Sequence, residues 1–150
     1  MPHKKNDQVG LAKKHIPIEE GLFTLPSPSD KGHLIGGKCN ACGKVVFPKR
    51  TSCPVCFADL MDEVALSTRG KVHSCTVFRY RRTPPGYEGG TLPYSYGYVA
   101  LPEGTALLTW YTGFDLKEPL KVNTEVEMVI EPFRIDKDGN EVMTFKFRPV

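Results

Sequence analysis

Four of the five cysteines in this 150-residue chain fall inside one stretch, CNACGKVVFPKRTSCPVC. Their spacing is Cys39-x2-Cys42-x10-Cys53-x2-Cys56. Two thiolates separated by two residues can reach the same ion, and the tight turn between them aims backbone N–H groups at the sulfurs. Gly43 after Cys42 and Pro54 after Cys53 are residues that such turns favour. Four thiolates in a tetrahedron suit Zn²⁺, with Zn–S distances near about 2.3 Å. Iron in the same sulfur cage and a redox pair of disulfides are the competing chemistries. A four-cysteine site has no open coordination position, so its metal shapes the chain and does not act on a substrate. Metal binding of this kind is folding energy, on the order of 10–16 kcal/mol in zinc-finger peptides. Residues 33–60 hold few apolar groups of their own and need that contribution.

The other chemistry-bearing residues are scattered. Cys75 follows His73 at a two-residue spacing, so on a strand the two would share a face and could form a thiolate–imidazole dyad. A small buried thiol beside a polar neighbour is the plainer expectation. His33 is a replacement metal ligand only if a cysteine fails. Arg79, Arg81 and Arg82 lead into a Gly/Pro-rich loop at 83–90, and Lys44, Lys49 and Arg50 add charge between the cysteine pairs. Guanidinium forks match phosphate oxygens, so Arg79, Arg81 and Arg82, with Lys49 and Arg50 as weaker partners, are candidate phosphate contacts. On one strand Arg79 and Arg81 share a face and Arg82 takes the other. Tyr94, Tyr96 and Tyr98 also share one face, where they could fill the core or an interface, stack bases, or hold an adenine nucleotide.

The elements that must position these groups read mainly as strands. A net charge of +3 permits anionic ligands without marking a nucleic-acid binder. Thirteen prolines and fourteen glycines argue against long helices. No run approaches the roughly 18 apolar residues of a membrane helix. The start, MPHKKNDQVGLAKKH, is basic without an apolar core, so no secretory signal is expected, and paired cysteines then fit a reducing cytoplasm. Three zones follow: a basic tail with a short helical segment before Pro26 (1–32), the cysteine region (33–62) and a run of strands (63–150). Alternation places strands at Val64–Tyr80 (interrupted at Gly70), Tyr94–Leu101, Thr105–Tyr111, Glu125–Glu131 and Val142–Phe147. Five strands of this length predict an all-β chain with a small OB-type barrel, an open sandwich being the competitor.

Taken in order, the knuckles, STRGKVHSCTVFRY, LPYSYGYVAL, GTALLTWYTG and the closing FKFRP resemble the DUF35 family. The resemblance covers roughly residues 17–150. It implies a rubredoxin-like zinc ribbon joined to an OB fold, with Cys39, Cys42, Cys53 and Cys56 as the zinc ligands. One departure is Phe57, where many knuckles carry glycine. The resemblance further implies a small, non-catalytic cytoplasmic subunit that docks on a thiolase-fold enzyme and helps hold coenzyme A or an acyl-CoA. The narrower expectation is a thiolase acting on 2-benzoylsuccinyl-CoA in anaerobic toluene degradation. The alternative from a different class is a single-stranded nucleic-acid binder built from a zinc ribbon and an OB fold. The residues themselves present no convincing set of nucleophile, base and oxyanion donors.

Overall fold

The computed structural model describes residues 14–79 and 93–150. These residues form ten strands and no helix. The short helix expected before Pro26 is therefore replaced. Pro17 cannot donate a helical hydrogen bond, and β1 (His15–Pro17) instead pairs in parallel with residues 141–143. Leu22 to Thr24 then runs beside His33 to Ile35, with Thr24 N donating to His33 O and Ile35 N to Leu22 O.

A three-stranded antiparallel sheet carries the cysteines. Its strands are β2 (Ile35–Cys39), β3 (Val45–Val46) and β4 (Met61–Ala65), in the order β3-β2-β4. Glycine at position 36 is dictated by close packing: a Cβ there would stand 2.8 Å from Leu66 Cδ2 and 2.9 Å from Val46 O. Val64 and Ala65 belong to this sheet, so the strand expected from Val64 to Tyr80 divides at Leu66 to Thr68 and again at His73 to Cys75, not at Gly70, and Tyr80 lies outside the described residues.

The remaining strands are β5 (Arg69–Val72), β6 (Thr76–Phe78), β7 (Tyr94–Ala100), β8 (Ala106–Tyr111), β9 (Glu125–Ile135) and β10 (Glu141–Pro149). Pairing runs β5-β7-β8-β10-β9 and returns to β5, so the sheet closes. All these pairs are antiparallel except β8 with β10. Renumbered from β5, omitting the short β6, the circuit is 1-2-3-5-4-1, the five-stranded OB barrel. Closure excludes the open sandwich and removes the exposed edges that one would leave.

Phe147, Val72, Val99 and Val126 fill the barrel with at most 1% exposure. Leu34 and Leu66 come from the cysteine-bearing module into the same apolar cluster, as does Phe23 from the N-terminal segment. Polar ties reinforce the joint. Thr105 Oγ1 donates to Val45 O, and Glu103 Oε1 accepts from Ser67 N at 2.7 Å and Ser67 Oγ at 2.6 Å. The Phe47 ring meets Phe145 edge-on, 5.7 Å between centroids. The two modules thus share one core.

Candidate functional site: the sulfur cluster and the surfaces around it

The two cysteine turns repeat one construction. Cys39 N donates to Lys44 O and Gly43 N to Cys39 O; in the second turn Cys53 N donates to Ala58 O and Phe57 N to Cys53 O. Each turn closes through a left-handed residue, Gly43 at φ 79° and Phe57 at φ 64°. That conformation is open to glycine and costs an L-residue roughly 1–2 kcal/mol. Phe57 gains nothing by burial to offset it, since 80% of its surface is exposed. Phe57→Gly is accordingly expected to raise stability, by about 0.5–1 kcal/mol once glycine's greater unfolded-state entropy is allowed for. A thermal melt of the zinc-loaded protein that is unchanged or lower would refute the strain argument.

The folded turns bring the four Sγ atoms within 4.8 Å of one another. Two of the approaches cross between the turns, Cys39 to Cys56 at 3.5 Å and Cys42 to Cys53 at 3.6 Å. Zinc bound tetrahedrally to thiolates at about 2.3 Å requires sulfur–sulfur edges of about 3.8 Å, so the donor set fits that ion. Backbone N–H groups at Cys56 and Val55 hold the Cys53 thiol down to about 6. Ala58 N–H acts on Cys56 in the same sense, but the neighbouring Cys39 sulfur and burial outweigh it and push Cys56 up to about 12. The cluster thus favours the thiolate at Cys39 and Cys53 and the thiol at Cys42 and Cys56, and a dication at its centre would favour the thiolate in all four. His33 is not among the grouped donors; its Nδ1 lies 3.4 Å from Thr24 Oγ1 and 3.8 Å from Asp30 Oδ2.

Of the candidate basic residues, Lys49, Arg50 and Arg79 are described. Lys49 lies on the loop after β3, its Nζ 3.2 Å from Glu63 Oε2, and Arg50 is exposed beside it. Arg79 stands just beyond β6, where its guanidinium donates to Leu116 O at 2.9 Å and to Lys117 O. Arg81, Arg82 and the 83–90 loop lie outside the described residues. Cys75 and His73 are not hydrogen-bonded to each other. The Cys75 sulfur lies 3.2 Å from Ser95 Oγ and accepts from Leu120 N at 3.3 Å, while His73 is exposed. The thiol therefore sits in a backbone-anchoring role.

The three tyrosines do share one face of β7, but they differ in access. Tyr94 is buried and stacked on Phe78 with centroids 5.0 Å apart, Tyr96 packs on Trp110 at 4.8 Å, and Tyr98 is 43% exposed. A buried Tyr94 has no face to offer a base. Trp110 and Phe133 complete this aromatic row, and sequence reasoning missed them because the row depends on the cross-strand register that sets Tyr96 opposite Trp110.

A four-sulfur knuckle sheet packed on a closed five-stranded barrel defines a zinc-ribbon/OB-fold protein. Residues 30–62 match the ChsH2 rubredoxin-like zinc ribbon domain and residues 63–131 the ChsH2 C-terminal OB-fold domain. A DUF35 domain-containing scaffold protein of Pyrococcus furiosus is 39% identical over 122 residues, covering 81% of this chain and 86% of that one. The benzoylsuccinyl-CoA thiolase subunit BbsA of Thauera aromatica is 31% identical over 129 residues, covering 86% and 85%. Among solved structures, a chain of the Ltp2-ChsH2(DUF35) aldolase superposes with a TM-score of 0.59 at 26% identity, covering 78% of this chain and 84% of that one. The chain belongs to the DUF35 family.

Proposed function

We propose that this chain is a non-catalytic scaffold subunit of a thiolase-type complex, that it helps hold the acyl-CoA on which its enzyme partner acts, and that Cys39, Cys42, Cys53 and Cys56 hold one structural Zn²⁺. The observation that carries the proposal is the extent of the likeness to BbsA, a thiolase subunit, which runs through both modules of this chain and most of the relative's length. The fold agrees with such a role. The two modules share one core, so the chain can present ribbon and barrel to a partner as a single surface. Lys49, Arg50, Arg79, Arg81 and Arg82 are proposed as contacts within the complex, to coenzyme A phosphates or to the enzyme itself. A grip on the nucleotide end of an acyl-CoA would place its remote thioester before the enzyme's catalytic groups, where positioning lowers the barrier.

The test is co-expression with a candidate thiolase-fold subunit, followed by co-purification and assay, with 2-benzoylsuccinyl-CoA as the first acyl-CoA tried. The expected result is a stable complex whose enzyme loses about tenfold or more of its activity without this chain. An enzyme subunit that is folded, fully active alone and indifferent to this chain would overturn the proposal.

A further inference from the structure

A groove of about 470 Å³ runs beside the short pairing of β5 with β7, in the size range of small-molecule sites, roughly 300–1,000 Å³. One wall is cationic. Arg69, Lys71 and His73 occupy alternate positions along the chain, all three are exposed, and all three line the groove. The cations are unspent. Glu127, which stands opposite Arg69 across β5 and β9, is held by Arg148 at 3.1 Å. Glu125 stands opposite Lys71 but is not ion-paired with it. Among the described residues neither Arg69 nor Lys71 has a side-chain hydrogen bond or ion pair. Beside it, Ala100, the cross-strand partner of Lys71, and the exposed Pro102 give the groove an apolar margin, with the buried Leu101 between them. This differs from the basic residues discussed above, since Arg79 and Lys49 already have partners.

We propose that this groove binds the phosphorylated adenosine end of coenzyme A, an inference that rests on the acyl-CoA reading for the identity of its ligand. Arg69 and Lys71 contact phosphate oxygens, the guanidinium fork supplying two parallel bonds. The apolar margin at Ala100 and Pro102 receives the flat adenine ring. Glu125, the carboxylate lining the same groove, accepts from the exocyclic amine. Its negative charge disfavours bare polyphosphate, so the combination selects an amine-bearing base together with its phosphates.

Calorimetry on the full chain with adenosine 3′,5′-bisphosphate tests this directly. Replacing both cations by Arg69→Gln and Lys71→Gln should weaken binding about tenfold or more, and high salt should weaken the wild type, as expected for exposed phosphate contacts. Lys71→Arg, which keeps the charge, should retain the affinity, and the inosine analogue should bind less tightly than the adenosine compound. The groove assignment is overturned if the double variant binds as the wild type does, or if neither the chain nor its enzyme complex binds the bisphosphate. ATP binding as tightly as the bisphosphate would overturn the coenzyme A assignment. The two proposals fail separately. A double variant with unchanged affinity in an active complex removes the groove and leaves the scaffold role, whereas a chain that binds the bisphosphate through these residues yet never supports an enzyme removes the scaffold role and leaves the groove.

Discussion

Cys39→Ala protein is expected to lose its stoichiometric metal and, with it, the structure of residues 33–62. Cys39 is fully buried at the end of β2, where its amide also closes the first turn on Lys44 O. Three thiolates hold zinc far less tightly than four, and what is lost is folding energy on the order of 10–16 kcal/mol in comparable peptides. A whole domain is stable by only about 5–15 kcal/mol. The ribbon cannot supply the deficit, because β2 contains Gly36 and Gly37 and the second knuckle exposes Val55, Phe57 and Leu60. The damage should reach the barrel, since Leu34 and Leu66 belong to its apolar cluster. Elemental analysis should give about one zinc per wild-type chain and almost none per variant, the expectation for a closed four-ligand site. Amide exchange should show β2 and β4 opening before β9 and β10. Wild-type protein that is soluble and folded without stoichiometric metal would sink this account, and so would a Cys39→Ala variant that melts where the wild type does.

What the sequence made legible divides along the same line of local against distant. The four cysteines lie within one turn-bound segment, so spacing alone was enough to group their sulfurs, as the folded turns do. The long strands β7 to β10 were visible through alternation and through the turn residues at Pro102–Gly104 and Asp136–Asn140. Elements defined by distant partners were not. β1 is a strand only because β10 offers it a parallel edge, and no local pattern in His15–Pro17 announces that. The boundary between β4 and β5 was misplaced at Gly70 because glycine usually weakens a strand. Here Gly70 lies inside β5, where an added Cβ would come 2.6 Å from Ala100 O. The basic groove was hidden for a related reason. RGKVH reads as an ordinary strand, and only the register that gives Glu127 to Arg148 leaves Arg69 unpaired.

Gly97 provides the second large effect. It lies within YSYGY on β7, where a strand-former would be the ordinary choice. The bend at 73–75 crosses directly over it. His73 N and Ser74 N both donate to Tyr98 O, and Tyr98 N donates to Ser74 Oγ. A Cβ at position 97 would stand 2.2 Å from Ser74 O and 3.0 Å from Cys75 Cα. Those neighbours are backbone, so they cannot step aside as a flexible side chain can. Displacing them would also disturb the Cys75 sulfur, which accepts from Leu120 N and contacts Ser95. Gly97→Ala is therefore expected to cost about 3 kcal/mol, the upper part of the usual overpacking range. At roughly 2–4 °C per kcal/mol for a chain of this size, the melting temperature should fall by about 6–12 °C. Gly104→Ala is the matched control. It has the left-handed φ of 87° but nothing within 4 Å of the added carbon, so only the conformational cost of about 1 kcal/mol applies. If Gly97→Ala proved no more destabilising than Gly104→Ala, the bend would not lie against β7 as described.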